Sequence, residues 1–352
     1  MKRLIIADVQ SMNNNGRSIG HYFTVAANYN EIFSKDYDVF IAGGPVYYSN
    51  YKHMVKLKYD TYSLASLLIN KLKIIKNCFD LFSQVSNAII IFQCSSIATA
   101  YLGIALCPCN INVYMIQYNT LGINSKLKRF LFKLAKGNIA GTICPSEKIG
   151  EAYGLPYCVV PDYILTQNRF KSIHFTNDHV DYDFGVFGII TWSKGVIEVA
   201  AYFAHTNYRL IIAGHPSDND IKEELINICA DSPNITVIFD YLTTRKYNSY
   251  IKGSKYCILN YTEDYSQHSS GVVFDILFNG KPVLGRKCKF LSFITENHIG
   301  VVYRKLDELP LDELLREDIY HLYLENIKKY LENHRNYEQT LIDFIGSSNK
   351  RS

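Results

Sequence analysis

The chain has 352 residues, 48% apolar and 20% charged, with a net charge of +4 and nine cysteines. That length accommodates two domains with a core each, and the composition is that of a soluble globular protein rather than a disordered or disulfide-stapled one. The cysteines are scattered, and Cys107-Pro-Cys109 has no second half to make a zinc site, so reduced thiols, a cytoplasmic location and no metal centre are expected.

The segment Met1-Lys2-Arg3 runs straight into an apolar strand at 4–9 (LIIADV), without the pattern of a signal peptide. The loop at 10–19 carries Arg17, and Gly20-His21 opens a helix at 22–33. A second strand at 37–43 stops at Gly43-Gly44-Pro45. The Tyr- and Lys-rich stretch 47–60 reads as a mobile loop rather than core, and 63–82 as a helix. Residues 81–125 contain no charged side chain, yet Gln93, Ser95, Ser96, Pro108, Asn110 and Asn112 interrupt them too often for a membrane span. Buried strands at 88–92 and 113–116 around a helix at 97–106 fit better. Ligands of open parallel sheets bind beyond the carboxyl ends of the strands, so Gln93, Tyr118 and Asn119 should border a cleft. The strand ends at 93 and 117–119 offer neither histidine nor acid as a catalytic base.

The stretch 124–136 (NSKLKRFLFKLAK) is an amphipathic helix, with Leu127, Phe130, Leu131 and Leu134 on one face against five Lys/Arg. It reads either as a surface helix packed on the sheet or as a peripheral contact with an anionic membrane at its inner face. No nucleic-acid reader motif surrounds it, so no nucleic acid is expected as a partner. Residues 1–165 hold 16 Lys/Arg and 9 Asp/Glu against 21 and 24 in the remainder, so an anionic surface or substrate is expected at the first half. The first domain should end at 165, with 166–181 as a polar linker.

The second domain opens with a strand at 182–190 containing Gly188, followed by Lys194-Gly195 and a helix at 196–203. Strands at 208–213 and 235–239 end at His215 and Tyr241. A strand at 256–260 leads through a polar loop holding Gln267 to Ser269-Ser270-Gly271 and an apolar helix at 272–278. A Gly/Ser turn before a helix N-terminus directs backbone N–H groups and the positive end of the helix dipole at an anion. Asp275, one turn further on, can reach hydroxyls from the same face. An ordinary buried helix between two strands has the same sequence signature.

The run SGVVFDILFNGKPVL (270–284) resembles the nucleotide-sugar segment of GT-B glycosyltransferases of the group-4-like (glycosyl transferases group 1) family. That segment usually reads Glu, seven residues, Glu, then Gly-Lys-Pro-Val. Asp275 matches the second acid and Gly280-Lys281-Pro282-Val283 the ending, while Gln267 stands where the first acid belongs. The stretch 143–164 resembles the end of the family's N-domain, and Gly188 with Lys194-Gly195 its donor-diphosphate loop, of which the usual arginine is missing. The resemblance implies an α/β, two-Rossmann-domain architecture facing across a cleft: an acceptor domain at 1–165, a nucleotide-sugar domain at 182–318, and a helical segment at 319–352 crossing back to the first. It implies transfer from a nucleotide-diphosphate sugar to a saccharide or lipid-linked saccharide in surface polysaccharide synthesis, without cofactor or metal, and it favours retention. Lys194 and Gln267 would be catalytic. Gly20, Gly188, His215, Tyr241, Ser269, Ser270, Gly271 and Asp275 would bind the donor, with Arg17, His21, Gln93, Tyr118 and Asn119 on the acceptor side. Two rival readings are a sugar-nucleotide 2-epimerase of the same fold and a non-catalytic partner of a transferase that binds nucleotide or lipid.

Overall fold

The computed structural model describes residues 2–14, 17–18, 22–62, 65–93, 97–108, 110–161, 163–173, 175, 180–262 and 271–347. The chain divides into two compact units, 1–166 with 336–352 and 167–335.

In the first unit β1 (Lys2–Ala7), β4 (Tyr37–Gly43), β5 (Met54–Lys56), β7 (Ala88–Phe92), β8 (Asn112–Ile116), β9 (Ile139–Cys144) and β10 (Tyr157–Val159) form one sheet, ordered β10-β9-β8-β7-β1-β4-β5. Every pairing in it is parallel. Three short strands, β2 (Met12–Asn14), β3 (Arg17–Ser18) and β6 (Thr61–Tyr62), make a separate small sheet. Helices cover both faces of the large sheet, which is why β1 and β7 read as unbroken apolar runs. On one face lie α2 (Leu67–Gln84), α3 (Ala98–Ala105), α4 (Lys126–Ala135) and α5 (Glu147–Tyr153), whose inward residues share a core with Ile5, Ile90 and Met115. Here α2 and α3 cross closely, because a Cβ on Gly103 would stand 2.3 Å from Cys78 Cβ. Tyr101 meets Phe132 edge-on at 5.3 Å, and Phe132 meets Tyr153 at 5.4 Å, locking α3, α4 and α5 together.

On the other face lie α1 (Tyr22–Phe33) and the last helix, α14 (Asn336–Ser347). Leu341 and Ile345 of α14 are fully buried there, and Phe344 packs edge-on against Tyr114 at 5.5 Å. The uncharged stretch 81–125 forms the end of α2, then β7, α3 and β8, and no helix among the described residues is long and apolar enough to cross a membrane.

The second unit carries β11 (Tyr182–Phe187), β12 (Leu210–Gly214), β13 (Ile235–Phe239), β14 (Ser254–Leu259), β15 (Val283–Arg286) and β16 (Gly300–Tyr303). They run parallel in the order β13-β12-β11-β14-β15-β16. This is the doubly wound order 3-2-1-4-5-6, in which the chain reverses direction across the sheet between β11 and β14. Its helices are α6 (Gln167–Lys171), α7 (Val196–Phe203), α8 (Asn219–Cys229), α9 (Thr244–Lys252), α10 (Gly271–Phe278), α11 (Ser292–Glu296), α12 (Leu311–Leu314) and α13 (Glu317–His334).

Three sequence expectations are revised. The stretch 166–181 is not simply a linker, since α6 places Arg169 over the Phe278 ring, 5.1 Å from its centroid. The terminal helical segment divides at 335: Tyr320 and Leu324 of α13 complete the core of the second unit, so the return to the first unit is made by 336–352 alone. The stretch 47–60 is not a mobile loop at its start, because Tyr47 is fully buried and its hydroxyl donates to Asp8 Oδ2 at 2.7 Å.

Gly103→Ala should lower the unfolding free energy by about 1–3 kcal/mol in urea titrations, since its methyl group forces α2 and α3 apart.

Candidate functional site

The place where an open parallel sheet reverses its winding leaves a crevice beyond the strand ends, bordered by the two loops that diverge from it. In the second unit those loops follow β11 and β14. The first leaves β11 at Gly188 (φ +99), makes a short 3₁₀ turn at Trp192–Lys194 and enters α7 through Gly195 (φ +61). The left-handed backbone favours glycine at both ends, and space demands it at Gly195 and at the facing Gly214. The Gly188 carbonyl lies 1.7 Å from where a Cβ on Gly214 would be, and Asn260 O lies 2.2 Å from a Cβ on Gly195. Ile190 N donates to His215 O at 2.9 Å on one side of the loop. On the other, Thr262 N donates to Ser193 O at 2.9 Å and Asn260 Nδ2 to Gly195 O at 3.0 Å. The loop is therefore tied to the ends of both β12 and β14.

Those ties fold Lys194 inward. Its Nζ and Val272 Cγ2, in the first turn of α10, each lie 3.3 Å from where a Cβ on Gly188 would be. Burial pushes the Lys194 ammonium down to about 8, and no carboxylate among the described residues pairs with it. A desolvated cation beside a helix N-terminus, with no counter-ion among the described residues, is an environment that an anion would complete. The sequence marks Lys194 as a candidate, and the structure turns its side chain toward Gly188 and the first turn of α10.

Asp275 is half-buried on α10, and desolvation raises its carboxyl to about 6. The nearby Arg169 and a hydrogen bond from the Tyr247 hydroxyl oppose that rise. Tyr247 comes from α9 and meets Phe187, at the end of β11, edge-on at 6.1 Å. Arg169, Tyr247, Asn260 and Thr262 were not anticipated. Only their spatial neighbours reveal them, since a single Arg, Tyr, Asn or Thr carries no spacing signal.

His215 and Tyr241 are brought together beyond β12 and β13, their rings stacked with centroids 3.7 Å apart and planes 21° apart. Tyr241 is 55% exposed, so the stacked pair is accessible to solvent. Gly188, Lys194, His215, Tyr241 and Gly271 thus belong to one strand-end region, with Asp275 one turn along α10. Among the described residues no group of three or more His, Cys, Asp or Glu could hold a metal. Gln267, Ser269, Ser270, Gly20 and His21 lie outside the described residues, as does the side chain of Arg17.

The remaining candidates belong to the first unit. Gln93 follows β7 at that sheet's own reversal, where its N–H donates to Ala7 O at 2.9 Å. Its side chain is fully buried with neither end hydrogen-bonded, instead of bordering an open edge. Asn119 is occupied structurally: Oδ1 accepts from Leu121 N at 2.9 Å and its carbonyl from the Tyr153 hydroxyl at 2.9 Å. Tyr118 is half-buried against the core that contains α1. The strand ends at 93 and 117–119 carry no acid, but the end of β1 does. Asp8 follows β1 and is fully buried, accepting from Gln10 N, Ser11 N and the Tyr47 hydroxyl.

No protein-family profile matches the chain, and no curated protein sequence matches it. Solved structures do match. A glycosyltransferase from Rickettsia africae superposes with a TM-score of 0.70 at 14% identity, covering 100% of this chain and 99% of the other. The UDP-forming α,α-trehalose-phosphate synthase of Burkholderia xenovorans, solved with glucose-6-phosphate, gives 0.68 at 8% identity over 98% and 100%. Anabaena HepE, solved with UDP and glucose, gives 0.61 at 12% identity over 99% and 100%. The chain is a mixed α/β protein with parallel sheets and has the GT-B fold.

Two linked titrations follow. The Lys194 penalty is present in full below pH 8 and vanishes above pH 10.5, so wild-type stability relative to Lys194→Met should rise with pH across that window. At pH 7 the variant without ligand should be the more stable, by on the order of 1–3 kcal/mol once the water reaching this half-buried group is allowed for. Asp275 has the opposite sign: its carboxylate is disfavoured, so wild type should lose stability relative to Asp275→Asn as pH rises from 3.8 to about 6. Denaturant midpoints measured across pH check both.

Proposed function

We propose that this chain is a glycosyltransferase that moves a sugar from a nucleotide-diphosphate sugar to a saccharide or lipid-linked saccharide, in surface polysaccharide synthesis. The observation that carries the reading is Lys194, a desolvated ammonium without a carboxylate partner among the described residues, set beside Gly188 and the first turn of α10. When the bond between the anomeric carbon and the diphosphate breaks, negative charge grows on the leaving oxygen. A fixed cation and a helix N-terminus already in place stabilise that charge more than they stabilise the bound donor. Charge neutralisation is assigned to these groups, with no metal required.

In this reading the diphosphate lies against Lys194 and the loop Ser269-Ser270-Gly271, with Gln267 beside the sugar. The His215–Tyr241 stack offers a surface for the base, and Asp275, held by Tyr247, is the acceptor for ribose hydroxyls. The resemblance of 270–284 favours retention at the anomeric carbon. The GT-B structures that match, one holding UDP and one of a UDP-forming enzyme, support glycosyl transfer and make UDP the first nucleotide to test. Peripheral contact with an anionic membrane through 124–136 completes the proposal, since a lipid-linked acceptor resides there.

Thermal unfolding with UDP, GDP, CMP, dTDP and their sugars is the test. One nucleotide at a hundredfold excess over its dissociation constant should stabilise wild type by about 2.7 kcal/mol. The shift should vanish in Lys194→Met and shrink in Asp275→Asn. No shift with any nucleotide would overturn the donor site. Binding without donor turnover over any acceptor would favour the non-catalytic reading, and inversion of the donor sugar at C2 the epimerase.

A further inference from the structure

The apolar ridge of α4 points outward. Phe132 and Ala135 are the residues that enter the core, while Leu127, Phe130 and Leu134 are 68%, 58% and 49% exposed. They recur at i, i+3 and i+7 and so form one stripe along the helix. Lys126, Arg129 and Lys133, all exposed, recur at the same spacing beside it.

A second helix on the same face of the sheet repeats the arrangement. Helix α2 buries Ile74, Cys78, Leu81 and Phe82 against the core shared with α4, yet Leu68, Leu72 and Phe79 are 67%, 51% and 45% exposed. With half-buried Ile75 they fall at i, i+4, i+7 and i+11, a continuous stripe turned away from the sheet. Lys71 and Lys76 border it, and Leu67 and Ile69 extend the apolar surface at the helix start. The two helices flank α3, through the Cys78–Gly103 crossing on one side and the Tyr101–Phe132 contact on the other. At ordinary helix spacings their axes therefore lie within about 20 Å of each other. From residue 65 to 138 the chain carries eight Lys/Arg and one acid, Asp80.

We propose that α2 and α4 together form a two-helix platform that docks on an anionic lipid bilayer, with Leu68, Leu72, Leu127 and Phe130 entering the headgroup–acyl boundary. Charge identifies the occupant: exposed cations that form no ion pair among the described residues border both apolar stripes, which suits a plane of lipid phosphates over a layer of acyl chains. The proposal deepens the single-helix membrane contact assigned above and rests on it. What it adds is the second helix, which fixes the orientation of the unit on the surface, because one amphipathic helix can roll about its axis and two held by a common core cannot.

The full chain is floated with vesicles of phosphatidylcholine alone and of phosphatidylcholine mixed with phosphatidylglycerol, at low and high salt. Binding is expected only to the anionic vesicles, weakening with salt. The pairs Leu68→Ser/Leu72→Ser and Leu127→Ser/Phe130→Ser should each reduce the bound fraction by about tenfold or more. The same samples are checked for an unchanged unfolding midpoint and an unchanged nucleotide shift, so loss of fold is recognised and failure of the transfer reading is scored separately. Loss with the α4 pair alone would leave the membrane contact standing and overturn the platform. Absence of binding to either vesicle, or equal binding to both, would overturn the bilayer as occupant. So would a solution dimer that the same substitutions dissolve, since a second copy would then cover these stripes.

Discussion

The second unit depends on the close approach of two backbones, where the carbonyl of Gly188 occupies the space that a side chain on Gly214 would need. Any β-carbon there would spread β11 from β12, and the loop after β11 would lose the register that pairs its Ile190 with His215 and Pro216. With the strands that close, the loop is held between the ends of β12 and β14, and Lys194 has nowhere to go but inward. A lysine in this position loses solvation without gaining a carboxylate among the described residues, a cost that an anion beside it would offset. Glycine contacts that look like details of packing thus determine the electrostatics of the site.

The two units share the order 3-2-1-4-5-6, to which the first adds a seventh strand, and differ in what they place at its reversal. In the first, Asp8 is saturated by two backbone N–H groups and the Tyr47 hydroxyl, and the neighbouring strand end carries the uncharged Gln93. In the second, the loop after β11 carries the desolvated ammonium of Lys194. Topology supplies an opening in both sheets, and side-chain chemistry is what distinguishes one from the other.

Much of this was legible in the chain. Unbroken apolar runs such as AIIIF mark strands buried on both sides, and strand–glycine–helix passages mark the loops around the site. The desolvation of Lys194 was not legible, because it is created by Asn260, Thr262 and Val272, which lie 66 or more positions further along the chain. Periodicity found α4 but put Leu131 on one face with Leu127, Phe130 and Leu134, whereas Leu131 packs against the core, and it could not say which apolar residues turn inward. Phe132 does so because Tyr101 and Tyr153 offer ring edges to it, and that excludes Leu127, Phe130 and Leu134 from the core. Tyr47 was misjudged for a similar reason: its tyrosine- and lysine-rich surroundings suggest a loop, while a buried carboxylate distant in sequence claims its hydroxyl.

The division of the last two helices bears on how the protein is made. The first unit is synthesised first, yet one face of its sheet is covered in part by Leu341 and Ile345, and Phe344 packs against Tyr114 and over Gly141. Until the ribosome reaches those residues, that face stays uncovered over Ile143 and Tyr114 while the entire second unit emerges and folds in between. Synthesis order and completion order are therefore reversed: the unit begun first is finished last, and a chain truncated at 335 would retain every strand and still expose part of its oldest core.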